Sequence, residues 1–347
     1  MYITEKQLQP PQNNFNLLRL IAAVFVFLSH SYDVRNISQK ELLAQLTHGR
    51  YLLSTMGLII FFTMSGFLIC KSLVTIQSIK QYLLNRFLRI WPAFAVCTIL
   101  TILVLGLLFT TLPPITFLTH HQTLFFLFKN LSLTGTSLWL PGVFNNNGVN
   151  ASVWTIPIEV RLYIILLLLF ILSKKKLKQV VIITIVASLI IQAFIPSKSF
   201  TIILGRTTYA TLTLGTFFFI GAAFYLFKEK IPFTLAAWLL LFITWLICYI
   251  WLPNAIKIID YLFFSYSFLA ISFYTPAISG KTDISYGFYL YAYPIQKAVQ
   301  TVLGEQLNFT AYILLCALCI TIIAMLSWVT IEKRALQRKS AWKTNSQ

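Results

Sequence analysis

Long apolar runs alternate with short polar segments along the whole 347-residue chain. Ten of these runs have a length close to the roughly 17–25 residues that a helix needs to cross a bilayer. The pattern therefore predicts an all-α polytopic membrane protein, a bundle of about ten transmembrane helices. The predicted spans cover residues 15–33, 54–73, 87–110, 154–173, 178–195, 207–227, 231–252, 256–276, 284–303 and 309–331.

The composition agrees with this class. Hydrophobic residues make up 58% of the chain and charged residues only 10%, whereas a soluble domain carries roughly 25% charged residues. Residues 1–13 lack the compact apolar segment and the cleavage site of a signal peptide, so we expect the first helix to be retained. We divide the chain into a cytoplasmic N-terminal segment, 1–13, a transmembrane domain, 14–332, and a basic cytoplasmic tail, 333–347, with no further soluble domain.

The net charge of +18 invites a nucleic-acid interpretation, but the distribution of the charge argues against it. If the N-terminus is cytoplasmic, 17 Lys and Arg residues lie on the inner side and 7 on the outer side. Lys6, Lys281 and the tail contribute to the inner count. Because cations accumulate in short cytoplasmic loops, we expect both termini to be cytoplasmic and no nucleic-acid partner.

The first span, NFNLLRLIAAVFVFLSHSYD, contains Arg19, His30 and Asp33. A charge inside a span costs roughly 2.5–3.5 kcal/mol, so it normally faces the bundle interior or a wet cavity. Eleven residues, about three helical turns or about 16 Å, separate Arg19 from His30, and Asp33 shares the face of His30. Alternatively, Arg19 is a snorkelling anchor and His30 an interfacial histidine. The remaining histidines fall in predicted outer loops: His48, His120 and His121.

The second and fourth spans each carry a polar motif. In the second, FFTMSGFL, small residues at Ser65-Gly66 allow neighbouring backbones to approach. The Ser65 hydroxyl could serve a site or simply bond its own helix backbone. The fourth, SVWTIPIEVRLY, contains Trp154, Glu159 and Tyr163. Glu159 either positions substrate or pairs with Arg161 or another buried cation.

Arg86 and Arg89, three residues apart, share one face at the start of the third span. Guanidinium groups donate paired N–H hydrogen bonds to phosphate oxygens, so the pair suits a phosphorylated ligand, although topological anchoring also explains it. The long outer loop, 111–153, has no predicted secondary structure, and such loops are often functional. Its Trp139, Phe144 and the run 145–147 could bind a sugar or form a plain solvated turn. The adjacent His120 and His121 could not chelate one metal ion together from a helix, so no metal site is expected.

The ninth span, SYGFYLYAYP, and the closing Glu332 complete a series of motifs that, in this order, resembles the acyltransferase-3 family of membrane O-acyltransferases. The resembling elements are Arg-x10-His, FF-x-x-SGFL, R-x-x-R, W-x4-E-x3-Y and S-Y-x-x-Y-L-x-H-x-P, within spans 1–4, 9 and 10. The chain departs from the pattern at Ala292, where the family often has a histidine. Pro157 and Arg161 also stand where other residues are expected.

The resemblance implies an acyl-CoA-dependent enzyme of the inner (cytoplasmic) membrane. It would move an acyl group, usually acetyl, from acetyl-CoA as co-substrate to a hydroxyl of an envelope carbohydrate or lipid-linked glycan. The residues fall into three predicted roles: catalytic His30, Asp33 and Glu159; donor-binding Arg19, Arg86 and Arg89; substrate-positioning Ser65, Trp154, Tyr163, Tyr286 and Tyr289. The acceptor sugar, the acyl group and the oligomeric state remain open.

The predicted chemistry centres on His30, the one histidine in a predicted span. A sugar hydroxyl needs a base to attack a thioester, and imidazole ionises near neutral pH. Asp33 would orient the ring and stabilise the imidazolium. A covalent acyl-enzyme on His30 or Ser65 is the second mechanism. Two other functions compete: a transporter whose polar intramembrane residues form a path, and a non-enzymatic scaffold of a glycan-assembly complex.

Overall fold

The computed structural model describes residues 2–5, 7–8, 12–76, 78–195, 197–252, 255–275, 278, 282–304 and 306–337. Lys6, Lys281 and the tail after Gln337, which entered the charge count, lie outside the described residues, as does 276, the predicted end of the eighth span. Ten long helices coincide with the ten predicted spans: α1 (Phe15–Val34), α2 (Leu53–Thr75), α3 (Ile79–Phe109), α4 (Ile156–Ser173), α5 (Leu177–Phe194), α6 (Arg206–Leu226), α7 (Leu235–Trp251), α8 (Ile256–Tyr274), α9 (Ser285–Leu303) and α10 (Phe309–Ser327).

Within the described residues, 8 of these helices are long and apolar enough to cross a membrane. The other two are α7, which is apolar but only 17 residues long, and α9, whose tyrosine, glutamine and lysine side chains reduce its hydropathy. Many of the polar side chains of α9 are buried inside the protein. The all-α membrane class is therefore confirmed, while the cytoplasmic orientation of the termini stays a prediction.

Helix α3 begins about two turns earlier than the sequence pattern indicated. Its first turns contain Gln81 and Asn85, which are polar but buried, and the Gln81 amide donates to Asn85 Oδ1 at 2.9 Å. Because these side chains satisfy each other, the polar stretch continues the helix instead of forming a loop. The sequence pattern predicted Arg86 and Arg89 at the start of this helix. That prediction was wrong, because both residues lie inside it.

The segment between α3 and α4 is also more ordered than predicted. It contains the helices Pro114–Thr119 and His121–Leu131 and the 3₁₀ turns Val143–Asn146 and Ser152–Thr155. These elements enclose an apolar core of their own, formed by Ile102, Phe117, Phe126, Leu140, Val143, Phe144 and Val149. The prediction of a long loop without secondary structure was wrong because aromatic side chains spaced along the segment bury one another.

The contacts within the chain divide it into two compact units. The first unit comprises Met1–Arg19, Leu58–Ile76 and Ile158–Lys281, and the second comprises Leu20–Gly57, Gln77–Pro157 and Thr282–Gln347.

Glycines allow very close helix packing in the first unit. A Cβ added to Gly66 would lie 1.8 Å from the Phe218 carbonyl oxygen, and one added to Gly221 would lie 2.0 Å from that of Thr63. No other residue fits at either position without separating the helices. The close backbone approach predicted for the Ser65-Gly66 step is thus confirmed.

Candidate active site

His30 and Asp33 form the contact that their spacing predicts. Near the end of α1, His30 Nδ1 lies 3.3 Å from Asp33 Oδ2, and the second carboxylate oxygen of Asp33 accepts a hydrogen bond from the Ser38 hydroxyl at 2.7 Å. The His30 side chain is 16% exposed and that of Asp33 is 50% exposed. When Nδ1–H donates to this carboxylate, the lone pair of the neutral ring is on Nε2. The geometry therefore permits His30 to accept a proton at Nε2.

Tyr293 of α9 is a neighbour of His30 that the sequence interpretation missed. Its ring packs edge-on against the imidazole, with the centroids 5.2 Å apart and the planes at 90°. A signal was present in the sequence, since Tyr286, Tyr289 and Tyr293 stand at i, i+3 and i+7 and share one helix face. Tyr293 follows Ala292, the position at which the family pattern often has histidine.

Hydrogen bonds to α9 and to the loop that follows it hold the end of α1 on both sides of His30. The buried Gln296 donates to the Phe27 carbonyl at 2.8 Å and to the Ser31 hydroxyl at 2.7 Å. Arg35 donates to the carbonyls of Gly304 and Leu307, which lie beyond the end of α9. These contacts fix the turn that carries the imidazole.

Arg89 is part of a closed polar cluster. Its Nη2 donates to Asp283 Oδ2 at 2.6 Å, and Asp283, whose side chain is 8% exposed, also accepts from the Ser285 hydroxyl. The Tyr286 ring lies under the guanidinium at 5.9 Å, while its hydroxyl donates to the Ile90 carbonyl. The carboxylate partner came from a part of the chain in which sequence reasoning had found no motif. Arg89 therefore has a fixed position and an anionic partner.

Two atoms of ionisable side chains are buried without a hydrogen-bond partner in the described part of the chain. They are Arg86 Nε and Glu332 Oε2, although Glu332 Oε1 accepts from the Ser327 hydroxyl at 3.0 Å. Glu332 interacts electrostatically with Arg89, and Gly287 leaves room for its carboxylate. Buried unpartnered polar atoms are rare in folded proteins. The two unpartnered atoms therefore mark Arg86 and Glu332 of the second unit as candidate ligand-binding residues.

In the first unit, Ser65, Glu159 and Tyr163, which belong to the motifs of two different spans, lie in contact with one another. The Ser65 hydroxyl donates to Glu159 Oε1 at 3.0 Å and lies 2.9 Å from the Tyr163 hydroxyl, which donates to the same carboxylate oxygen. Ser65 therefore does not bond its own backbone.

The remaining predicted residues have local partners. In the first unit, Arg19 Nη1 donates to Asn16 Oδ1 at 3.2 Å. In the second, the buried Tyr289 donates to the Ser152 carbonyl and lies 2.7 Å from the Thr155 hydroxyl. It thereby anchors the turn that contains the half-buried Trp154. The convergence of Arg19 with Arg86 and Arg89 on one donor stays a prediction. Across the described residues, no three His, Cys, Asp or Glu side chains are grouped to hold a metal ion.

Ten long, largely apolar helices in the described part of the chain, with a histidine–aspartate pair at the end of the first, define a class: polytopic membrane proteins with titratable groups inside their spans. The family model described as "Acyltransferase domain" matches residues 12–328. The chain therefore belongs to the acyltransferase-3 family.

Two relatives align with nearly the whole chain. An O-acetyl transferase of Shigella phage Sf6 is 28% identical over 338 residues, which cover 94% of this chain and 97% of the relative. Nodulation protein 10 of Rhizobium leguminosarum bv. viciae is 25% identical, with 95% of each chain covered. No solved structure matches the chain. The family favours acyl transfer over the transporter and scaffold alternatives.

Proposed function

We propose that this protein is a membrane O-acyltransferase that transfers an acetyl group from cytoplasmic acetyl-CoA to a hydroxyl of an envelope carbohydrate. Membership of the family and the phage relative, which is named an O-acetyl transferase, support the reaction class. The observation that carries the chemistry is the contact between His30 Nδ1 and Asp33, because it leaves Nε2 as the basic nitrogen.

In the proposed reaction, a carbohydrate hydroxyl attacks the thioester carbonyl while His30 Nε2 takes its proton. The new ester C–O bond forms as the C–S bond breaks, and the proton leaves with the CoA sulfur as a thiol. Asp33 holds the ring and stabilises the transient imidazolium. Direct transfer requires only one base, whereas the second mechanism passes through an acyl group on His30 or Ser65.

The proposed donor-binding residues are arginines. Arg86 and Arg89 lie within two turns of each other in α3, and Arg19 lies near the start of α1. Arg89 is held by Asp283, so its charge is positioned in advance, and Arg86 Nε has no protein partner among the described residues. Guanidinium groups of this kind suit the phosphates of CoA.

The residues around Glu159 take positioning roles in this proposal. The carboxylate already accepts two hydroxyl hydrogen bonds, from Ser65 and Tyr163, which fix both side chains. In the second unit, Tyr286 supports Arg89, and Tyr289 holds the turn of Trp154. In this proposal these residues position the side chains of their local sites, and His30 transfers the proton.

The proposed location is the inner membrane, with both termini cytoplasmic and the segment between α3 and α4 outside. A cysteine placed at the exposed Asn147 should react with an impermeant thiol reagent in intact cells, and one at the exposed Lys333 should react only after lysis. The native cysteines offer little background, since four are buried and Cys319 is partly buried. The opposite pattern would reverse the side on which the acceptor is bound.

The direct test is a transfer assay with the purified protein in lipid nanodiscs. Acetyl-labelled acetyl-CoA is supplied with polysaccharide extracted from the envelope of the source cell and treated with mild alkali to remove existing esters. We expect label to enter the polysaccharide as an alkali-labile ester in step with CoA release. If label never reaches any envelope carbohydrate, the proposed function is wrong, and substrate flux into proteoliposomes would then support the transporter.

A further inference from the structure

The segment between α3 and α4, whose Trp139 and run 145–147 the sequence left open between sugar binding and a solvated turn, contains a cavity. Its volume is about 540 Å³, within the range of roughly 300–1,000 Å³ that is typical of small-molecule sites. Residues of the second unit line it, among them Thr111, His120, Trp139, Pro141, Gly142 and Asn146. No lining residue carries a fixed charge.

The wall of this cavity is rigidly built. Gly142 donates its N–H to Asn146 Oδ1 at 2.8 Å and accepts from the Thr111 N–H at 3.2 Å. Gly142 has φ +70°, and a Cβ there would lie 2.7 Å from Thr111 Oγ1, so only glycine fits. The next turn is strained, because Phe144, Asn145 and Asn146 all have left-handed φ angles of 48°, 56° and 60°. Backbone strain of this kind persists where the surroundings enforce it, and it is concentrated at functional sites.

Three lining groups have the chemistry to recognise a neutral polar ligand. Asn146 uses its carbonyl oxygen on Gly142, which leaves its NH₂ group as a donor without a partner among the described residues. His120 Nδ1 accepts from the Gln122 N–H at 3.1 Å, so the neutral ring carries its proton on Nε2 and donates from there. The Trp139 indole is 43% exposed and presents an apolar aromatic surface.

We propose that this cavity is the acceptor subsite and that it binds neutral sugar residues of the glycan. A sugar ring has an apolar C–H face that packs on an indole, and hydroxyl oxygens that accept hydrogen bonds from the Asn146 amide and His120 Nε2–H. The phosphates of CoA would find no cation in the lining. This proposal rests on the proposed function only in that it identifies the bound sugar as the acyl acceptor.

A binding experiment tests the site without requiring activity. The full-length protein is labelled with 5-fluorotryptophan, and the Trp139 and Trp251 resonances are assigned with Trp139→Phe and Trp251→Phe. The probe is a set of neutral oligosaccharides released by mild acid from the envelope polysaccharide, and CoA is the counter-probe. We expect the oligosaccharides to shift the Trp139 resonance while CoA does not. The control is Trp251 at the end of α7, which is 69% exposed and should not respond. An unmoved Trp139 resonance, or equal shifts at both positions, overturns the proposal.

Kinetics separate the site from the overall function. Trp139→Ala should raise the acceptor KM by about three- to tenfold, the value of one aromatic contact, and leave the acetyl-CoA KM unchanged. Trp139→Phe should recover most of the loss. Asn146→Asp keeps the oxygen that accepts from Gly142 but removes the NH₂ donor, so it should raise the acceptor KM while the protein remains folded. If transfer proceeds with a normal acceptor KM in Trp139→Ala, the subsite is wrong and the function stands. If the wild-type protein binds the oligosaccharide but transfers nothing, the function is wrong and the subsite stands.

Discussion

The second unit contains two acid–base contacts that differ in almost every physical respect. Arg89 and Asp283 meet at 2.6 Å, and the Asp283 side chain is 8% exposed. His30 and Asp33 meet at 3.3 Å, and the Asp33 side chain is 50% exposed. In the first contact, an arginine that is always charged meets a buried carboxylate from a distant part of the sequence. In the second, the two residues are neighbours on one helix.

These differences in burial and in charge indicate which contact holds the structure and which performs chemistry. A guanidinium cannot lose its proton in a protein, so Arg89 can only bind and orient. An imidazole can change its charge, and a partly exposed carboxylate can follow that change without the cost of burying a lone ion. We therefore assign structural support and donor charge to the closed pair and proton transfer to the open pair.

Breaking the closed pair should produce the largest change in stability. Arg89→Ala leaves Asp283 buried without its cation, at a cost of about 3–5 kcal/mol in the free energy of unfolding. The readout is thermal unfolding of the protein in detergent. Adding Asp283→Asn to Arg89→Ala should restore part of the loss because the uncompensated charge is gone. If Arg89→Ala unfolds like the wild type, the pair does not hold the fold.

Arg86 provides the contrast, since its Nε has no protein partner to lose in the described part of the chain. Arg86→Ala should leave the unfolding temperature almost unchanged and raise the acetyl-CoA KM by about ten- to a hundredfold, as expected for one charge-assisted contact. Lys80→Ala removes an exposed cation from the same helix and serves as the matched control. Equal changes in the acetyl-CoA KM for the two substitutions would mean that Arg86 contributes only nonspecific positive charge.

Asp33→Asn should have the smallest effect, a reduction of kcat by about tenfold. The carboxylate is half exposed, so water can replace part of its interaction with the imidazole. Steady-state turnover at saturating acetyl-CoA measures the effect, and Ser38→Ala, which removes only the hydrogen bond to Asp33, should reduce kcat less. A larger loss in Ser38→Ala than in Asp33→Asn would contradict the role given to the carboxylate.

The sequence was sufficient for features that depend on local periodicity. The apolar runs placed all ten long helices, and the spacing of His30 and Asp33 placed both on one face. It was insufficient where a contact joins distant positions, as in the Arg89–Asp283 pair, which spans 194 residues. The early start of α3 depends on the mutual bond of Gln81 and Asn85, which periodicity cannot anticipate. The folded segment between α3 and α4 depends on its own aromatic core in the same way.

For the candidate site residues, too, the sequence indicated positions but not the contacts between distant parts of the chain. The family motifs singled out Ser65, Glu159 and Tyr163, but they did not indicate that the carboxylate would bond both hydroxyls. The family motif marks position 292 and not Tyr293, although the spacing of Tyr293 from Tyr286 places both on one helix face. Motifs name positions, whereas the partner of each side chain is set by packing.

The measurement that tests the account most directly is turnover of His30→Ala in lipid nanodiscs, with acetyl-CoA affinity and the unfolding temperature measured on the same preparation. His48→Ala, which removes an exposed histidine, is the control. We expect His30→Ala to fold and bind acetyl-CoA normally and to lose about 10²–10⁴-fold in kcat, the usual effect of removing an acid–base group. Near-normal kcat in a folded His30→Ala protein would contradict the account, because transfer would then proceed without the imidazole that is assigned as the base.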